Sequence, residues 1–100
     1  MTGEAVVTVV DAVVPAEREA EFLAGYRRMT RESQPDALLR SELLRGQDGH
    51  WRIQTTWLNL EALQAVRAAG TPPAALELLK SVGAQPSHAW FTVEAEFEKA

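Results

Sequence analysis

Residues 5 to 14, Ala-Val-Val-Thr-Val-Val-Asp-Ala-Val-Val, constrain the fold of this chain more than any other stretch. β-Branched side chains are stiff at χ1 and favour a pleated backbone, so the run predicts a first strand. Alternate residues of a strand point to opposite faces. Val6, Thr8, Val10, Ala12 and Val14 therefore share one side, and Val7, Val9, Asp11 and Val13 the other. Both sets are largely apolar, so neither face stays fully wet. The fold must cover this strand twice, and a chain of 100 residues supplies one core with which to do it.

The segments that follow limit how that can happen. Pro15 fixes φ near the helical value and opens a helix expected from Ala16 to about Ser33, with Ala16, Ala20, Phe22, Leu23, Tyr26 and Met29 on one stripe. Glu17, Glu19 and Glu21 stand early and Arg27, Arg28 and Arg31 late, the arrangement that the helix dipole favours. Asp48-Gly49 supplies the φ > 0 residues of a tight reversal, so Leu38 to Arg45 and His50 to Trp57 are read as paired antiparallel strands. Asn59 is an N-cap for a helix bearing Leu60, Leu63 and Val66 and closed by Gly70. A second helical piece, capped by Thr71, runs through Leu76, Leu79 and Val82 to Gly83. The last strand is expected from His88 to about Glu98, with Ala89, Phe91, Val93, Ala95 and Phe97 on one face and Trp90, Thr92, Glu94, Glu96 and Glu98 on the other.

Strand, helix, strand, strand, helix, strand is the ferredoxin-like βαββαβ order of an α+β domain. Right-handed crossovers put the helices on one face of a four-stranded antiparallel sheet. The other face stays open, and its valines predict that it meets a second copy, making a homodimer.

A net charge of −4 and a pI near 5.1 argue against a nucleic-acid surface, which needs uncompensated Lys and Arg. The absence of cysteine removes disulfides, thiolate nucleophiles and Cys-ligated metals, and fits a reducing compartment. The apolar run near the N-terminus ends at Asp11, too short for a signal peptide or a membrane span, so cytoplasm is expected. Gly46-Gln-Asp-Gly49 joins two strands and is no phosphate cradle. Ser33, Ser41, Ser81 and Ser87 lie in no nucleophile-elbow pattern, and the two histidines make no metal-ligand spacing.

The opening strand, the helix from Pro15, the hairpin and the run Trp57-Leu-Asn-Leu-Glu-Ala-Leu together resemble the antibiotic biosynthesis monooxygenase family of dimeric α+β barrels, over residues 5 to 98. The resemblance implies a single domain spanning 1–100, a dimer with its sheets face to face, and a pocket between sheet and helices in each protomer. It also implies oxidation of an aromatic polyketide- or quinol-like molecule by O2 with no organic cofactor, and the spacing of the histidines and carboxylates adds the expectation of no bound metal. The chain departs from many relatives in having Pro35-Asp36-Ala37 where they carry Pro-Gly. It also has Val66 or Arg67 where they carry a histidine late in the helix, which leaves haem without an axial ligand there. The rival reading is a non-catalytic dimer that binds a hydrophobic small molecule or serves a structural or regulatory role.

Cofactor-free oxygenation asks for a dry pocket, groups that hold a phenol or quinol, and a base to form its anion. Trp57 is the first candidate, as an aromatic wall with an N–H donor; the plainer reading is that it packs the seam between strand and helix. Tyr26 can offer its hydroxyl to the pocket or be a core tyrosine. His50 is the candidate base, with His88 beside it, although both stand at strand starts where solvent-exposed roles are usual. Trp51 and Trp90 are expected to be packing anchors, Arg52 and Gln54 interface residues, and Glu94, Glu96 and Glu98 a solvated face.

Overall fold

A computed structural model describes residues 4–32, 34–70 and 73–99. Its strands are β1 (Val6–Val13), β2 (Leu38–Arg45), β3 (His50–Trp57) and β4 (Ser87–Thr92); its helices are α1 (Glu19–Arg31), α2 (Leu60–Ala68) and α3 (Ala74–Ser81). The four strands form one antiparallel sheet in the order β2-β3-β1-β4, the ferredoxin-like arrangement expected from the element order.

Local chemistry accounts for the joints. Asp48 and Gly49 take φ of 56° and 80°, and His50 N–H donates to the Gln47 carbonyl at 3.0 Å, closing the hairpin. The Asn59 side chain accepts from the Ala62 N–H at 2.7 Å and so starts α2. Pro15 opens a 3₁₀ turn, Ala16–Arg18, before α1 proper. Arg18 then bridges two elements, bonding Glu21 at 2.8 Å and the Ser81 carbonyl at 2.9 Å. Ser33, the expected end of the first helix, and Thr71, the expected cap of the last, lie outside the described residues.

Val6, Val10, Ala12 and Val14 face the helices, as do Trp51, Ile53 and Thr55 of β3, all buried. Phe22 and Leu79 are buried among the same core residues from the helix side. A large apolar side chain buried this way contributes on the order of 2 kcal/mol. Trp51 is the packing anchor expected of it. Its ring meets Phe22 edge-on at 5.4 Å, the Arg45 guanidinium lies 4.5 Å from its centroid, and its N–H donates to Glu19 at 2.8 Å.

Two expectations for the last strand are corrected. It ends at Thr92 rather than near Glu98, because its neighbour β1 begins at Val6, directly opposite Thr92. One further bond, Val93 N–H to the Ala5 carbonyl at 2.9 Å, is made beyond the strand, and Phe97 is 87% exposed. Cross-strand pairing also decides which of the two alternating faces of β4 turns inward. Pairing of Val10 with His88 and Thr8 with Trp90 turns the His88, Trp90 and Thr92 side toward the helices and the Phe91 side toward the open face. Trp90 remains half-exposed on this edge strand instead of anchoring a core. The open face carries Asp11 and Val13 of β1, with Phe91 and Leu44; Val13, Phe91 and Leu44 are exposed. On β2, a bulge lies between Leu38 and Arg40, so that Leu38 stands opposite Trp57 and Ser41 opposite Thr55.

Candidate functional site

A cavity of about 960 Å³ lies between the helix-bearing face of the sheet and the three helices. Its floor includes Thr8, Ser41, Ile53, Thr55 and Trp57, and its roof includes Met29 of α1, Leu63 and Val66 of α2 and Leu76 of α3. That size and largely apolar lining suit a drug-sized organic molecule. Three ionisable side chains, Glu32, Arg67 and His88, complete the wall. Among the described residues, Arg67 has no ion-pair partner and no three His, Asp or Glu side chains gather as a metal site.

Trp57 lines this cavity because the period of two along β3 turns it to the same side as Trp51, Ile53 and Thr55. Its indole N–H donates to Thr8 Oγ1 at 3.0 Å, which anchors the ring to β1. Tyr26 stands behind the wall rather than on it: the residue is 9% exposed and its hydroxyl lies 2.9 Å from Ser41 Oγ. Ser41 in turn receives a long hydrogen bond from the Thr55 hydroxyl at 3.4 Å. Trp57 and Tyr26 therefore reach the same polar strip by way of Thr8 and Ser41.

His50 is placed elsewhere. It sits on the open face of the sheet, where Asp11 Oδ1 is 2.9 Å from His50 Nε2 and accepts from Arg52 Nε at 2.8 Å. Burial pushes the Asp11 carboxyl up, but hydrogen bonds from Arg52 and His50 and their charges outweigh it and hold the group below its ordinary value. His50 thus belongs to a surface cluster and does not line the cavity.

His88 does line it, although it is exposed. On the sheet, Trp57 pairs with Val6 and His88 with Val10, so the two lie four residues apart along the strands and two strands apart across them. Strand rise and spacing put their Cα atoms about 16 Å apart, at opposite ends of the floor. Thr55 shares the Trp57 face by the period of two along β3, whereas the contributions of Ser41 and Thr8 are not visible in the sequence. Their signal is the cross-strand register, which no local pattern of residues carries.

Comparison with solved structures places this fold among known ones. A point mutant of SnoaB, a cofactor-independent oxygenase from Streptomyces nogalater, is similar with a TM-score of 0.75 and 22% identity, over 97% of this chain and 100% of that one. A candidate antibiotic biosynthesis monooxygenase from Deinococcus radiodurans gives 0.68 and 21%, over 95% and 98%. A haem-degrading protein from Mycobacterium tuberculosis, in its haem-free form, gives 0.62 and 28%, over 97% and 99%. The resemblance read from the Trp57 run therefore extends to the whole fold. No protein-family model matches the chain, and no curated protein does.

Proposed function

We propose that the chain is a cofactor-independent monooxygenase that oxidises an aromatic polyketide- or quinol-like molecule with O2, working as a cytoplasmic homodimer. The observation that supports this most is the cavity itself: an apolar slot with Trp57 at one end, His88 at the other and a hydroxyl strip between them. In the reaction envisaged, a ring-activated CH2 group loses one of its two protons to His88, which later returns it to the peroxide, and the resulting anion gives an electron to O2; the second hydrogen leaves the carbon with the water. The radical pair joins as a peroxide, which eliminates water to leave a carbonyl, so that one oxygen atom stays on the product and the other leaves as water. The substrate's own ring system carries the charge, and the protein's part is to orient it, exclude water and accept the proton. Trp57 stacks on the ring, and Tyr26 acts from behind Ser41. The base falls to His88 and not to His50, because His50 lies on the face assigned to the partner copy.

The similarity to SnoaB supports the reaction class, and the exposed Val13, Phe91 and Leu44 support the pairing of sheets. The rival reading, a non-catalytic dimer that binds a hydrophobic molecule, draws on the distance between His88 and Trp57, which leaves no base beside the tryptophan. O2 uptake with a panel of anthrones and quinols separates the two. Wild-type protein consumes O2 with at least one of them, and Trp57→Phe and His88→Ala consume less. Background uptake in all three proteins would favour the rival. A Soret band on titration with haemin would point instead to haem, with Arg67 and Val66 where an α2 ligand would be needed.

A further inference from the structure

Three hydroxyls stand in one row across the sheet. Ser41 of β2 pairs with Thr55 of β3, Thr55 pairs with Thr8 of β1, and all three line the cavity. A hydroxyl has one proton and two lone pairs, so the direction of each bond can be worked out. Tyr26 is buried and Ser41 is its one side-chain partner among the described residues. Were Ser41 the donor, the tyrosine proton would be buried without an acceptor, an arrangement that costs about 1–3 kcal/mol. Tyr26 therefore donates to Ser41, as the better donor of the two, and Thr55 donates to the same oxygen. With both lone pairs engaged, the Ser41 proton is left over. The same logic applies to Thr8, whose oxygen accepts from Trp57 and whose proton has no acceptor among the described residues.

We propose that this row reads oxygen atoms on the ligand: Ser41 and Thr8 each donate a hydrogen bond to a carbonyl or phenolate oxygen of a fused-ring quinone or of its reduced phenol form. Tyr26 and Trp57 are positioning residues that turn those two protons toward the cavity, and a donor whose own oxygen accepts is strengthened by the chain. Ser41 and Thr8 flank β3, so their Cα atoms lie two strand spacings apart, about 10 Å. That separation matches oxygens on opposite edges of a ring system, while an ammonium group beside Ser41, whose lone pairs are both engaged, meets a donor facing a donor. The proposal rests on the reading that the cavity takes a flat aromatic molecule, and it is independent of whether oxygenation follows.

Calorimetric titration with 1,4-naphthoquinone and with naphthalene tests it, since the two share their rings and only one has oxygens. The chain has no cysteine to consume the quinone. Ser41→Ala and Thr8→Val each weaken the quinone about five- to tenfold and leave naphthalene within about twofold. Tyr26→Phe weakens the quinone alone and by less, and Ser41→Thr restores it. Equal losses of both ligands in Ser41→Ala or Tyr26→Phe, or unchanged quinone affinity, would overturn the proposal while leaving the cavity reading in place. Failure of the wild-type protein to bind either compound would overturn both.

Discussion

Asp11 offers a test in which pH and mutation must agree. Its carboxylate is the hub of the open face, bonded to Arg52 at 2.8 Å and His50 at 2.9 Å, with 20% of the side chain exposed. Hydrogen bonds to a charged group contribute about 1.5–3 kcal/mol when shielded. In the single protomer Arg52 and His50 are 42% and 46% exposed, so water competes there and each bond falls toward the value of an exposed pair, about 0.2–1 kcal/mol. Asp11→Ala should therefore destabilise by about 0.4–2 kcal/mol at neutral pH. The folded-state carboxyl lies below the ordinary value of 3.8, so the stabilisation is complete above that value and is lost as pH falls through the lower, folded one. Urea denaturation of wild type and Asp11→Ala, from about pH 7 down to about pH 3, should show a gap that is present at neutrality and narrows at the acid end as the carboxylate is protonated. A gap of constant size down to the lowest pH, or none at neutrality, would refute the reasoning.

Other perturbations follow from the packing and the cavity. Trp51→Phe keeps the contact with Phe22 but removes the donor to Glu19, and should cost about 2 kcal/mol in chemical denaturation. Asn59→Ala removes the α2 cap and should cost about 1 kcal/mol, read as a lower thermal midpoint. Gly25→Ala places a Cβ 2.5 Å from Leu78 Cδ1, so α1 and α3 must part or Leu78 must move, at about 1–3 kcal/mol by the same denaturation assay. His50→Ala should leave O2 uptake at the wild-type rate, since the ring lies outside the cavity, whereas His88→Ala should lower it.

The parts of the fold set by local chemistry were legible in the sequence. The bounds of β2 and β3 follow from Asp48-Gly49, which permits one kind of reversal, and the start of α2 follows from the cap at Asn59. Trp57 reaches the cavity because β3 has a clean alternation. Which face of β4 turns inward is not legible in the sequence, for a physical reason. Its two faces differ in hydrophobicity, but the face that turns to the helices is decided by pairing with β1, and that pairing brings His88 and Trp90 inward. The hydroxyl row was illegible for a related reason, since Ser41, Thr55 and Thr8 lie on three strands and become neighbours only through register. His50 and His88 look alike as residues at strand starts; opposite phase sends one to the surface cluster and the other to the cavity wall.

The bulge in β2 decides which wall of the cavity can vary. Leu38 and Ser41 are three apart, and a regular strand would turn them to opposite sides; the additional residue between them lets both line the slot. Such an irregularity disturbs one ladder at the margin of the sheet, where β2 has a neighbour on one side alone. In the middle of the sheet the same insertion would disrupt pairing on both flanks. The outer strand is thus the place where length changes can reshape the binding slot while β1 and β3, which hold Trp57 and Thr8, keep their alignment.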